Sequence, residues 1–205
     1  MQSINLNAIS QRPLRTINAD GIPEFVMGVQ TLLWGVLIGI PELVPRGEWW
    51  RPYWMIVPFV LAASGLAAPW VTNRLKERFS YRRAGYVELR KPKGGYAWAV
   101  IGFLLCTSLV ASAFVFHSKT WLELLPVVVA TGMAVGLHFL LRKQTGMGAY
   151  LYPLLCLVLG AIGLALNLGT GASFAVLYAG LGPAMTIGGG LRLIRFVRSN
   201  EEIDG

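Results

Sequence analysis

The chain has 205 residues, 55% of them hydrophobic and 14% charged, with a formal net charge of +8. A water-soluble domain usually carries about 25% charged residues, so an ordinary soluble globule is excluded as the first reading. Long charge-free runs point to a membrane instead, and the placement of the cations explains the positive charge as topology, with no nucleic-acid partner expected.

In chain order, residues 1–24 form a polar tail containing Arg12, Pro13, Arg15 and Gly21-Ile22-Pro23. A first span is assigned to 25–45. Its charge-free part, 25–41, is close to the lower limit of about 17 residues for crossing a bilayer, and Pro41 and Pro45 bracket Glu42 at its end. The second span is 53–73, a stretch without Asp, Glu, Lys or Arg. A basic segment, 74–95, precedes the third span at 96–116, and the fourth follows at 121–141. The next charge-free run, 144–191, extends for 48 residues. As one helix it would measure roughly 72 Å, more than twice the hydrocarbon core. It must fold back, with Gly169-Thr170-Gly171-Ala172-Ser173 as the expected turn, giving spans at 149–168 and 173–193. Residues 194–205 form a second tail. The predicted fold class is all-α, a polytopic bundle of six transmembrane helices.

The cations orient this bundle. Fifteen of the eighteen Lys and Arg residues fall on one side: Arg12 and Arg15, eight in the 74–95 segment, Arg142 and Lys143, and Arg192, Arg195 and Arg198. Arg46, Arg51 and Lys119 fall on the other. The positive-inside rule then expects both termini in the cytoplasm. Arg192, inside the last span, can snorkel to the interface. Trp49, Trp50, Tyr53, Trp54 and Trp121 mark the outer headgroup level, and Trp70, Tyr96, Trp98, Tyr150 and Tyr152 the inner one. Trp34 lies mid-span, as a helix-contact residue would.

Signals of chemistry are sparse. Gly35/Gly39 and Gly132/Gly136 are GxxxG pairs, expected at helix–helix contacts because glycine lets backbones approach. His138 lies within the fourth span with no second His or acid on its helix face, so a neutral, hydrogen-bonded imidazole is favoured over a proton relay. Glu42 and Glu123 share the outer rim and read as solvated carboxylates. Pro183 and Gly188-Gly189-Gly190 make the sixth span either a kinked, tightly packed helix, which is preferred, or a broken one lining a cavity. Residues 59–70 and 157–168 share six of twelve positions. That hints at a three-plus-three inverted repeat, although Ala/Gly/Leu-rich helices match easily. Cys106 and Cys156 read as apolar packing residues. HExxH, CxxC and DxxxD motifs do not occur, nor does a phosphate-binding glycine loop after a strand, so catalysis lacks support and no metal or cofactor is expected.

The basic segment is the one candidate contact surface. Arg82, Arg83 and Tyr86 sit among eight cations, more than orientation alone requires, and planar guanidinium groups can recognise a partner or anionic lipid. The stretch Arg78-Phe79-Ser80-Tyr81-Arg82-Arg83-Ala84-Gly85-Tyr86-Val87 resembles a loop of the form Arg-Phe-Thr-Tyr-Pro-Arg-x-Gly-Tyr-Val found in a group of uncharacterised small bacterial membrane proteins, with Arg82 in place of the proline. The resemblance covers about ten residues and implies a multi-spanning protein of a bacterial cytoplasmic membrane, with no activity attached. The expected function is a non-enzymatic accessory or scaffolding subunit meeting a cytoplasmic or membrane partner through 74–95. The alternative is a small transporter or an ABC-type permease subunit. Homo-oligomerisation is left open.

Overall fold

The computed structural model describes residues 20–45, 47–80, 119–141 and 148–199. These form an all-α structure: α1 (Ile22–Leu43), α2 (Trp50–Leu75), α3 (Lys119–Leu141), α4 (Gly148–Ala165) and α5 (Thr170–Ser199), with one turn of π-helix, Lys76–Ser80, extending α2. Four helical stretches, Ile22–Leu43, Trp50–Phe79, Trp121–Phe139 and Thr170–Ser199, are long and apolar enough to cross a membrane, and Tyr150–Ala165 is a shorter apolar helix. This is consistent with a membrane-spanning protein. The predicted third span, 96–116, lies outside the described residues.

Local chemistry explains the helix ends. Asp20 Oδ1 accepts from Ile22 N–H at 3.2 Å, Gly21 adopts a left-handed φ of 71°, and Pro23 supplies the fixed φ that suits a first turn. The turn between α4 and α5 falls at 166–169, earlier than the expected 169–173. Leu168 N–H bonds Gly163 C=O and Asn167 N–H bonds Leu164 C=O, while Asn167 takes a φ of 48°. Asn at a left-handed C-terminal position with this bond pair is a Schellman closure. Gly169, also left-handed, then accepts from Ser173 N–H, so α5 is under way by Thr170. Pro41 and Pro183 lie inside helices, and α5 runs unbroken through Pro183 and the triple glycine.

Prolines inside helices leave a carbonyl four residues back without its donor. Two of these carbonyls are answered from another helix. The Tyr53 hydroxyl of α2 donates to Leu37 C=O, the acceptor freed by Pro41. The Thr170 hydroxyl of α5 donates to Leu122 C=O, freed by Pro126, at 2.9 Å. Where water is excluded, such substitution matters.

The central contact joins α1 and α5, antiparallel and nearly backbone to backbone. Paired positions are Phe25/Gly189, Gly28/Thr186, Leu32/Gly182, Gly35/Ala179 and Gly39/Ala175, stepping three and four residues along both helices. A methyl built on Gly28 would run into Thr186 N, and one on Gly189 into Phe25 N. On Gly35 it would sit 2.7 Å from Ala179 N, and on Gly182 2.6 Å from Leu32 N. Continuous pairing over this length requires a shallow crossing, as in heptad packing. On the other side of α5, the buried core comprises Ala130, Ala134, Leu137, Leu141, Tyr152, Cys156, Leu177, Leu181 and Met185. α2 packs on the outer side of α1 through Trp34 Nε1–H to Ser64 Oγ at 2.9 Å. Its Met55, Phe59, Leu66 and Trp70 are exposed.

The contacts sort the helix ends. The start of α1, the end of α2, the end of α3, the start of α4 and the end of α5 share one end. It carries Arg74, Lys76, Arg78, Arg192, Arg195 and Arg198. The opposite end carries Arg51 and Lys119 among the described cations.

Candidate functional site

Among the described residues, the strongest concentration of polar groups inside the bundle is at its basic end. Glu24, in the first turn of α1, has no exposed surface, and its Oε1 meets Arg192 Nη1 of α5 at 2.5 Å. Arg192 retains 28% side-chain exposure, its stem packing beside Gly21 and its guanidinium meeting Glu24. Asp20, 1% exposed, and Tyr152 of α4 complete the cluster. The Tyr152 hydroxyl lies over Gly188, where any side chain would overlap it. It stands beside the Glu24 carboxylate without forming a well-aligned bond, and Glu24 Oε2 is enclosed with no hydrogen-bond partner among the described residues.

The site exists because small residues bring α1 and α5 so close. Gly21 and Gly189 let the backbones touch, and the acid and the guanidinium then meet one turn further along. Glu24 also sits in the first turn of α1, where the positive end of the helix dipole favours its charge. A buried pair is weak evidence of net stability, but it is strongly selective, since removing one partner strands the other. The small residues recur every seven positions, at Gly21, Gly28 and Gly35 and at Ala175, Gly182 and Gly189. Sterically, such a pattern tolerates a slide of one heptad. The Glu24–Arg192 pair distinguishes the observed register from its neighbours.

Other residues singled out in the sequence have varied settings. Arg82, Arg83 and Tyr86 lie outside the described residues. Gly35 is buried against Ala179, and a methyl on Gly39 would lie 3.4 Å from Ala175 Cβ. Gly132 and Gly136 have nothing within 4 Å of a built methyl among the described residues. His138 packs beside Tyr150 and Phe139, with ring centroids 5.8 and 6.0 Å away. Glu42 reaches Gly171 in the first turn of α5, where a carboxylate complements the helix dipole, and Glu123 is exposed. Trp34 lies edge-on to Tyr178 at 5.9 Å. Among the described residues no group of three or more His, Cys, Asp or Glu is arranged to hold a metal ion.

Sequence reading missed the Glu24–Arg192 pair because it assigned Glu24 to the tail and Arg192 to the interface. The available signal was an acid at the start of the first apolar helix and a cation inside the nominal limits of the last. Comparison of the chain with protein-family models, curated proteins and solved structures finds no match.

Proposed function

We propose that the chain is a six-span integral protein of a bacterial cytoplasmic membrane, with both termini in the cytoplasm, acting as a non-catalytic accessory or scaffolding subunit. The topology is supported by connectivity. α2 finishes at the basic end and α3 starts at the opposite end. The chain between them therefore has to travel the length of the bundle, and a third span at 96–116 supplies that crossing. Five described helices plus this one return the chain to the side on which it began. The basic end then faces the cytoplasm.

The observation that carries the functional reading is how the interior is filled. α1 and α5 are closed against each other from Gly21 to Gly39, and apolar side chains pack the other side of α5. Among the described residues, the buried charged groups, Asp20, Glu24 and Lys76, all belong to the basic end. Ionisable groups on a transport route normally line a cavity within the membrane, whereas this pair ties two helix ends together. The partner-facing surface is the basic segment 74–95, with Arg82, Arg83 and Tyr86 as contact residues.

The test is gentle purification in mixed micelles, followed by identification of stoichiometric partners for the parent and for the Arg82→Lys/Arg83→Lys/Tyr86→Ala variant. A partner retained by the parent and lost from a normally inserted variant is expected. A co-purifying ATPase, or solute uptake by the protein alone in liposomes, would overturn the scaffolding reading in favour of transport.

A further inference from the structure

α3 has one face without a neighbour among the described residues. Ala130, Ala134, Leu137 and Leu141 are turned into the core against α4 and α5. Leu124, Thr131, Gly132, Val135 and Gly136 are exposed. This face follows the helix for about three turns, is apolar apart from the Thr131 hydroxyl, which donates to Val127 C=O of its own helix, and is flat at its two glycines. The comparable flat surfaces on α1 and α5 are occupied by one another.

Chain connectivity identifies what belongs there. Only His117 and Ser118 separate the predicted third span, 96–116, from Lys119 at the start of α3. A link this short joins antiparallel neighbours, because it cannot carry the chain past an intervening helix. The inward side of α3 is taken by α4 and α5, which leaves the exposed face. We propose that this face is the seat of residues 96–116 of the same chain, packed antiparallel to α3. The inference rests on the six-span reading and adds the place of the third span.

Sequence register agrees. Counting outward by equal steps from the link sets Ala99 opposite Gly136, Val100 opposite Val135 and Phe103 opposite Gly132. Ala99, Gly102, Cys106 and Ala113 recur at steps of three, four and seven, so this span offers a stripe of small residues. Ala99 opposite Gly136 makes both partners small at that level, which permits the close approach that favours helix association in lipid.

Disulfide trapping tests the proposal in a background carrying Cys106→Ala and Cys156→Ala. Val135→Cys is paired in turn with Ala99→Cys, Val100→Cys and Phe103→Cys, and mild oxidation is carried out in native membranes. Val100→Cys paired with Leu66→Cys on the exposed face of α2 serves as a control. An intramolecular disulfide through Val135→Cys in at least one pair, with none through Leu66→Cys, is expected. Covalent dimers through Val135→Cys would assign the face to a second copy and overturn the proposal, as would trapping to Leu66→Cys or no disulfide through Val135→Cys. Labelling of Glu77→Cys and Glu123→Cys from opposite sides of the membrane checks the crossing separately. A seating failure is therefore distinguishable from a failure of the six-span topology.

Discussion

At the scale of single residues, Glu24 and Arg192 are an obligate pair. Removing one charge leaves the other without its counter-charge and typically costs about 3–5 kcal/mol for a buried pair, whereas replacing both with packed apolar side chains is often near neutral. Arg192→Leu is therefore expected to lower unfolding stability in mixed micelles sharply, with the Glu24→Leu/Arg192→Leu double variant recovering most of the loss. Additive losses would mean that the ion pair does not couple the two helices. A second prediction concerns the proline-freed carbonyls. Tyr53→Phe removes the hydroxyl that bonds Leu37 C=O, a loss of about 1 kcal/mol for an interhelical hydrogen bond in a membrane protein. Pro41→Ala restores a backbone N–H for the same carbonyl. In that background Tyr53→Phe should cost much less, and an equal cost in both backgrounds would rule out the compensating bond. These pairings were not legible in the sequence. Tyr53 reads as an interfacial aromatic and Glu24 as part of a tail until the contacts of α1 with α2 and α5 are known.

At the scale of helices, the glycines of α1 and α5 have different roles despite similar sequence surroundings. A methyl on Gly189 would collide with the α1 backbone at Phe25, whereas one on Gly190 would meet only the Phe25 ring at 3.6 Å. Gly189→Ala is expected to destabilise by about 1–3 kcal/mol through forced separation of the helices. Gly190→Ala should be neutral or slightly stabilising, since Ala is the better helix former by about 1 kcal/mol. Thermal unfolding of the two variants side by side is the measurement, and equal effects would contradict the close-contact account. The apolar helices themselves were readable from charge-free length. GxxxG spacing drew attention to Gly35 and Gly39. The backbone contacts also use Gly28, seven residues before Gly35, and Gly182 and Gly189, seven apart, because a long shallow antiparallel contact repeats every three and four residues. Periodicity within one helix does not say which helix it meets, or at what angle. The turn before α5 was misplaced because Asn167, rather than a glycine, takes the left-handed position that closes α4.

At the scale of the whole molecule, the account depends on one crossing between α2 and α3. The cation asymmetry was legible in the sequence, and the helix contacts independently gather Arg74, Lys76, Arg78, Arg192, Arg195 and Arg198 at one end of the bundle. What the sequence could not supply was the pairing order, with α5 between α1 and α4, since that is fixed by long-range contacts. The most direct test is two-sided thiol labelling in intact and permeabilised cells. It uses single cysteines at Glu48, Glu77, Glu123 and Ser199 in a background lacking Cys106 and Cys156. The account predicts that Glu48→Cys and Glu123→Cys react from outside the intact cell, while Glu77→Cys and Ser199→Cys react only after permeabilisation. Reaction of Glu77→Cys and Glu123→Cys from the same side would remove the crossing between α2 and α3 and contradict the six-span topology.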